Sequence, residues 1–261
     1  MDNLRRYGHP PFRIAVLHGG PGAPGEMAPV ARELASERGV LEPLQTADTL
    51  DGQVSELRDI LEAHARLPAV LIGWSWGAWL GYILAARHPA LVGKLILVGC
   101  PPFEQQYAAE IEATRMSRLS VEEQQEALRT MKRLDDISGQ SHQNSLARLG
   151  TIFSKTDTFR PLQIADETIK LDFNVRRAVW RTAAEMRRSG ELLQLGKQIR
   201  CPVVAIHGDY DPHPAEGVRR PLETVLSDFR FILLPKCGHA PWREKEARKA
   251  FFAELSKELP E

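Results

Sequence analysis

The 261-residue sequence predicts an α/β fold: a mostly parallel sheet of about six strands, helices on both faces, and one helical insertion. Three observations lead there. Short, continuously apolar, β-rich runs recur along the chain. Helical patterns alternate with those runs. The alternation then breaks off once, between about residues 103 and 195.

The runs that read as strands are RIAVLHG (13–19), VLEPLQ (40–45), PAVLIG (68–73), KLILVG (94–99), PVVAIHG (202–208) and RFILLP (230–235). Several are apolar without alternation, as strands covered on both faces by helices should be. Between them, EMAPVARELASERG, GQVSELRDILEAHARL, WGAWLGYILAARHP and, at the end, REKEARKAFFAELSKEL repeat apolar residues at helical spacing and stop near Gly or Pro. Strand–helix alternation implies βαβ units and hence a parallel sheet. Residues 103–195 instead read as helices, including VEEQQEALRTMKRL, HQNSLARLGTIFSK and NVRRAVWRTAAEMRR. That stretch is too long for a plain loop. The expected division is a core of residues 1–102 and 196–261, with 103–195 as a helical cap over the carboxyl end of the sheet.

Composition narrows the function classes. Lys+Arg and Asp+Glu are 34 each, which argues against a chain built to bind nucleic acid or an anionic membrane surface. Three scattered cysteines without CxxC spacing do not form a disulfide framework. Neither an apolar leader nor a run of ~18 apolar residues is present. The expectation is a cytoplasmic protein whose partner is a small-molecule or short-peptide substrate, with no nucleic acid or membrane partner. Oligomeric state is not legible.

The stretch AVLIGWSWGAWLG carries the first chemical signal. Ser75 falls between a predicted strand and a predicted helix, framed by Gly73 and Gly77. A nucleophile raised above a sheet edge needs a sharp, strained strand-to-helix turn, and that tightness forbids Cβ atoms two residues to either side. The backbone N–H of Trp76, at the helix N-terminus, is then available to a developing oxyanion. LHGGPG (17–22) follows the first confident strand, where a second oxyanion donor is expected. We assign it to the N–H of Gly20, with Gly19 shaping the loop and His18 bracing it by hydrogen bonding. Two further turns follow late strands: HGDYDPHP (207–214) offers a carboxylate, and KCGHAPWREKE (236–246) a histidine. All four signals lie just past strand carboxyl ends, where open α/β sheets place their sites. The chain order Ser75, Asp211, His239 is a nucleophile–acid–base order.

With those residues in view, the chain resembles the α/β-hydrolase superfamily over its whole length. HGGPG and GWSWGA are most similar to the proline iminopeptidase branch. The resemblance implies the α/β-hydrolase fold and a serine hydrolase of small esters or amides working through an acyl-enzyme, with no cofactor and no metal. It implies Ser75 as nucleophile, His239 as base, and Asp211, from the G-x-x-D turn at Gly208–Asp211, as the orienting acid. Asp209 and Glu244 are implied as structural neighbours. The sequence departs from the branch in lacking an Asp-Arg-Gly-x-Gly-x-Ser segment, its place taken by LQTADTLDGQVSE. With about a dozen residues before the first parallel strand, the leading antiparallel strands look shortened or absent. C–C bond hydrolysis, lyase chemistry or ligand reception on the same fold are the competing functions.

Two further patterns have bland alternatives. His207, Asp209, Asp211 and His213 alternate along one segment, so a metal site is physically possible on an extended strand. The alternative is a buried strand end followed by the acid turn. In the insertion, Met116, Phe153, Phe159, Phe173, Trp180 and Met186 form either a pocket lining or the cap's own core. Asp166, Glu167 and Asp172 are either receptors for a substrate amine or solvated carboxylates.

Overall fold

A computed structural model describes residues 3–136, 140–164, 169 and 173–260. Seven strands form one sheet in the order β1-β3-β2-β4-β5-β6-β7. They are β1 (Leu4–Tyr7), β2 (Phe12–Leu17), β3 (Gly39–Pro43), β4 (Ala69–Trp74), β5 (Val92–Val98), β6 (Val203–Gly208) and β7 (Phe229–Leu234). Every pairing from β3 through β7 is parallel, and β1 runs antiparallel along β3 with Leu4 opposite Pro43. The mostly parallel α/β architecture expected from the sequence is therefore present, with one strand more than the apolar runs announce. β1 escapes pattern reading because LRRY is four residues long and three of its side chains are not buried. A leading antiparallel element is thus present, as the edge strand β1.

The helices are α1 (Ala28–Leu34), α2 (Leu50–His64), α3 (Trp76–Arg87), α4 (Gln105–Ala108), α5 (Glu110–Ser117), α6 (Val121–Asp136), α7 (Gln140–Thr156), α8 (Phe173–Ser189), α9 (Glu191–Gln194), α10 (Glu216–Val225) and α11 (Arg248–Glu258). Of these, α4 to α9 lie in sequence between β5 and β6. No pattern in the sequence announces α10, whose Pro221 sits inside the helix and reads as a breaker.

The sheet has a core on each face. One joins it to α2, α3 and residues of α8 to α10, the other to α1 and α11. α3 is buried along nearly its whole length, so its apolar residues go all the way round and no face is left polar. Gly81 lets it lie close to the sheet, since a Cβ there would come within 3.0 Å of the Leu95 side chain. Trp180 of α8 stacks on Trp79 at 5.5 Å and meets Trp76 edge-on at 6.5 Å. These rings fasten α8 to the helix that begins at Ser75. Fully burying each such ring is worth several kcal/mol by area, about 25 cal/mol per Å². A separate small cluster of Leu119, Ala127 and Ile152, flanked by Met116, Leu149 and Phe153, holds α5 to α7 together.

Candidate active site

Ser75 occupies the turn between β4 and α3 with φ 52° and ψ −118°. That is a left-handed backbone angle at a residue with a Cβ, a strained arrangement that persists only where the surroundings enforce it. Here they do. A Cβ on Gly73 would lie 2.2 Å from the Gly77 carbonyl oxygen, and one on Gly77 would lie 2.4 Å from that of Leu17. The Ser75 N–H donates to the Val98 carbonyl at 3.0 Å, and its side chain does not cap α3. The hydroxyl is therefore not consumed by the helix it precedes.

Asp211 and His239 come together from the ends of β6 and β7. The imidazole Nδ1 of His239 lies 2.8 Å from Oδ2 of Asp211. A carboxylate accepts only, so Nδ1 carries the hydrogen. The Asp211 side chain is fully buried and that of His239 is 12% exposed. Burial alone would lower the His239 pKa, but the Asp211 charge outweighs it and lifts the imidazole above its ordinary value. For Asp211, burial pushes upward, yet the imidazoles of His239, His213 and His207 hold the carboxyl well below its usual range.

Two neighbours of Ser75 touch His239. The residue before Ser75 is Trp74, whose indole N–H donates to the His239 carbonyl at 2.8 Å and whose ring lies 5.3 Å from the imidazole. Val98, which receives the Ser75 N–H, is followed by Gly99, with φ +50°. A Cβ on Gly99 would meet the His239 carbonyl oxygen at 2.6 Å and its Nδ1 at 3.1 Å. Trp74, which precedes Ser75, and Gly99, which follows the residue bonded to the Ser75 N–H, thus both pack on His239. The Trp74 indole faces His239. Trp76 turns inward, fully buried, and its indole N–H donates to Gln53 Oε1 at 3.0 Å.

The loop after β2 is built on tight turns. Gly20 has φ +31°, and the Ala23 N–H closes onto its carbonyl at 3.0 Å. Gly19 lies under the Trp74 ring, which a Cβ there would approach to 2.5 Å. His18 is fully buried, with Nδ1 2.7 Å from the Gly19 carbonyl oxygen. Desolvation drives its pKa down to about 4, so the ring is neutral and Nδ1 is the donor.

Other predicted residues divide. Asp209 Oδ1 accepts the Cys237 N–H at 3.1 Å, and His207 Nε2 donates to the His213 carbonyl at 2.8 Å. Those two residues serve the backbone. Asp211, His213 and His239 have side-chain N and O atoms within 4.8 Å of one another; Asp211 accepts a ring N–H from each histidine, and the two imidazoles stack. The Glu244 carboxylate, fully buried, accepts the N–H groups of Gly238 and Phe159 on Oε1 and of Arg160 on Oε2, at 2.8–2.9 Å. It ties the turn before His239 to the chain following α7. Met116 and Phe153 pack with the small cluster of α5 to α7, and Met186 and Trp180 pack with the core that includes α3. Phe159 is exposed and meets Tyr210 edge-on. The side chain of Phe173, and Asp166, Glu167 and Asp172, lie outside the described residues.

Three contributors were given no part in the serine site by the sequence reading, which named His213 only as a possible metal ligand. His213 donates Nδ1–H and its backbone N–H to Oδ1 of Asp211, at 2.7 and 2.9 Å. Arg118 donates to the carbonyls of Thr156 and Tyr210, at 2.6 and 2.8 Å, and its guanidinium lies 3.7 Å from the Tyr210 ring centroid. Arg115 forks onto Asp157, whose carbonyl receives the His239 N–H at 2.8 Å. Of the three, only His213 left a signal in the sequence, its place in the HGDYDPHP turn.

Sequence comparison gives this geometry its family. The profile described as the alpha/beta hydrolase family matches residues 14–254. The chain belongs to this family. As an alpha/beta hydrolase it is a hydrolytic enzyme. It is similar to the pimeloyl-[acyl-carrier protein] methyl ester esterase of Chromobacterium violaceum, 28% identical over 197 residues, which span 72% of this chain and 69% of that one. Among solved structures, this hydrolase is similar to VinJ, with a TM-score of 0.71 at 18% identity, covering 98% of this chain and 93% of that one. It is also similar to a proline iminopeptidase of Mycobacterium smegmatis, with a TM-score of 0.62 at 18% identity, covering 97% and 92%. The iminopeptidase branch is therefore one of several that share the fold. Among the described residues, no helix is long and apolar enough to cross a membrane.

Proposed function

We propose that this hydrolase is a serine esterase that cleaves a small acyl ester through a covalent acyl-enzyme. The observation that carries the reading is the buried 2.8 Å contact between Asp211 and His239, set against the strained serine turn. Ser75 Oγ attacks the ester carbonyl carbon while Nε2 of His239 takes the hydroxyl proton. Asp211 holds the ring with Nδ1 protonated and stabilises the imidazolium. The N–H groups of Gly20 and Trp76 receive the oxyanion, each worth roughly 3 kcal/mol to the transition state. Collapse breaks the carbonyl–alkoxy bond, and the imidazolium proton leaves with the alcohol. Water then attacks the acyl-enzyme, giving its proton to His239, and the carboxylic acid departs as Ser75 regains its hydrogen.

An ester is preferred because the relative from Chromobacterium violaceum carries that activity in its name, over most of both chains. The helices between β5 and β6 act as a cap over the site in this reading. The three cysteines are free thiols, which fits a cytoplasmic setting.

A fluorophosphonate probe tests the assignment. Wild type is labelled stoichiometrically and Ser75→Ala is not, and equal labelling of both discards it. Turnover of p-nitrophenyl acyl esters without turnover of aminoacyl-naphthylamides supports the ester reading, and the reverse preference replaces it with a peptidase.

A further inference from the structure

Asp211 is shared. Its Oδ2 accepts the His239 Nδ1–H at 2.8 Å, and its Oδ1 accepts Nδ1–H of His213 at 2.7 Å together with the His213 backbone N–H at 2.9 Å. The two imidazoles lie against each other, with ring centroids 4.4 Å apart and planes 28° from parallel. His213 is itself held from behind. His207, from the end of β6, presents Nε2 to the His213 carbonyl at 2.8 Å. Because a carbonyl only accepts, that nitrogen carries a hydrogen and is committed to the backbone. Its 3.6 Å separation from Asp211 Oδ2 is too long for a hydrogen bond.

A single hydrogen-bond donor does not fix a carboxylate, which can rotate about Cβ–Cγ and exchange its oxygens. Two donors on Oδ1, one from ring and one from backbone, remove that freedom. They also draw part of the negative charge away from Oδ2. We propose that His213 is a positioning residue of this enzyme, which locks the Asp211 carboxylate so that Oδ2 alone serves His239 and which divides the carboxylate's charge between two imidazoles. The proposal rests on the reading of His239 as the base. An apolar side chain at 213 would leave the backbone N–H alone on Oδ1 and the whole ring contact unmade.

The charged and titratable groups around this trio are His207 on β6, Arg115 on α5, Asp157 after α7, Cys100 after β5 and Cys237 after β7. Burial and the desolvated setting bring the His213 pKa down to about 4, so over the working range of the enzyme this ring stays neutral. Arg115 acts on His213 and His239 in the same sense, and Asp157 on His239 in the opposite one. None of these groups is altered by a substitution at 213, so a change in the acid limb of the rate profile reports on what His213 itself touches, the Asp211 carboxylate and the His239 ring.

The test compares His213→Leu with His213→Asn, whose side-chain amide keeps an N–H donor near the Nδ1 position. With p-nitrophenyl acetate as probe, His213→Leu is expected to lose roughly tenfold or more in kcat/KM, mostly in kcat, the scale of one hydrogen bond to a charged group. Its acid limb should move to higher pH, because the freed carboxylate charge makes His239 a stronger base. His213→Asn should restore most of the rate and return the limb toward wild type. A uniform rate loss with the limb unmoved or moved down, or an Asn variant no better than Leu, overturns the proposal. Nitrogen-15 imidazole spectra of the wild-type protein give an answer that does not depend on the leucine variant folding. They should show His213 as the Nδ1–H tautomer at neutral pH, and the Nε2–H tautomer there overturns it. Failure of Ser75-dependent fluorophosphonate labelling would instead remove the esterase reading and leave these tautomers untouched.

Discussion

A single methyl group at residue 99 is enough to test how closely His239 is fitted. Gly99 has φ +50°, and its missing Cβ leaves room for the carbonyl and ring of His239. Gly99→Ala must either twist its own backbone, at about 1 kcal/mol, or push His239 outward. A displacement of about 1 Å at a reacting group costs on the order of 10²-fold in rate. We expect kcat for ester hydrolysis to fall by that order while thermal stability drops only slightly, as steady-state kinetics and calorimetry on one preparation would show. Retained kcat would mean that His239 is not pinned here. At this scale the motif residues were legible because each answers a local rule. The turn around Ser75 demands Gly73 and Gly77, and the acid and histidine turns follow strands. His213 was visible only as one of four alternating ligand-type residues. Its bond to Asp211 depends on how a Pro-containing turn folds back, which spacing along the chain does not encode.

At the scale of elements, the helices between β5 and β6 are fastened to the loops that carry Asp211 and His239. Arg118, just past α5, bonds the Tyr210 carbonyl beside Asp211, and Glu244 joins Gly238 to Phe159 and Arg160. Arg118→Met keeps the apolar stem against Tyr210 and removes the charged donors. Hydrogen bonds to charged groups contribute about 2 kcal/mol, which predicts a Tm lower by about 4–8 °C. It also predicts a kcat reduced more than KM is raised, since the Asp211 turn loosens. Calorimetry together with ester kinetics checks both. A variant with lowered Tm and unchanged kcat would make the clasp structural only. The links of Arg118 to Tyr210 and of Glu244 to Phe159 and Arg160 join residues about 90 positions apart, so no sequence window contains them. Strong periodicity located α6, α7 and α8 closely, while β1 and α10 were missed through shortness and an internal proline.

Across the whole molecule, buried histidines set how stability responds to acid. His18 and His213 both have pKa values pushed down to about 4, against about 6.5 in an unfolded chain. Between those pH values the unfolded chain binds protons that the native one refuses, so stability falls as pH falls. At pH 5 each group costs about 2 kcal/mol relative to pH 7. His239, with its pKa raised, acts in the opposite sense. Denaturant unfolding at pH 7 and pH 5 should show the loss, and His18→Gln should flatten it. An equal pH dependence in that variant would assign the loss elsewhere. The sequence by itself determined the layered fold and the order of its site-bearing turns, because hydrophobic periodicity and turn chemistry act over a few residues. Only the tertiary structure decided which groups share the Asp211 carboxylate, how Trp74 reaches His239, and what fastens the inserted helices to the Asp211 and His239 loops. Those contacts are set by the packing of segments far apart in the chain, and distance along the sequence carries no record of it.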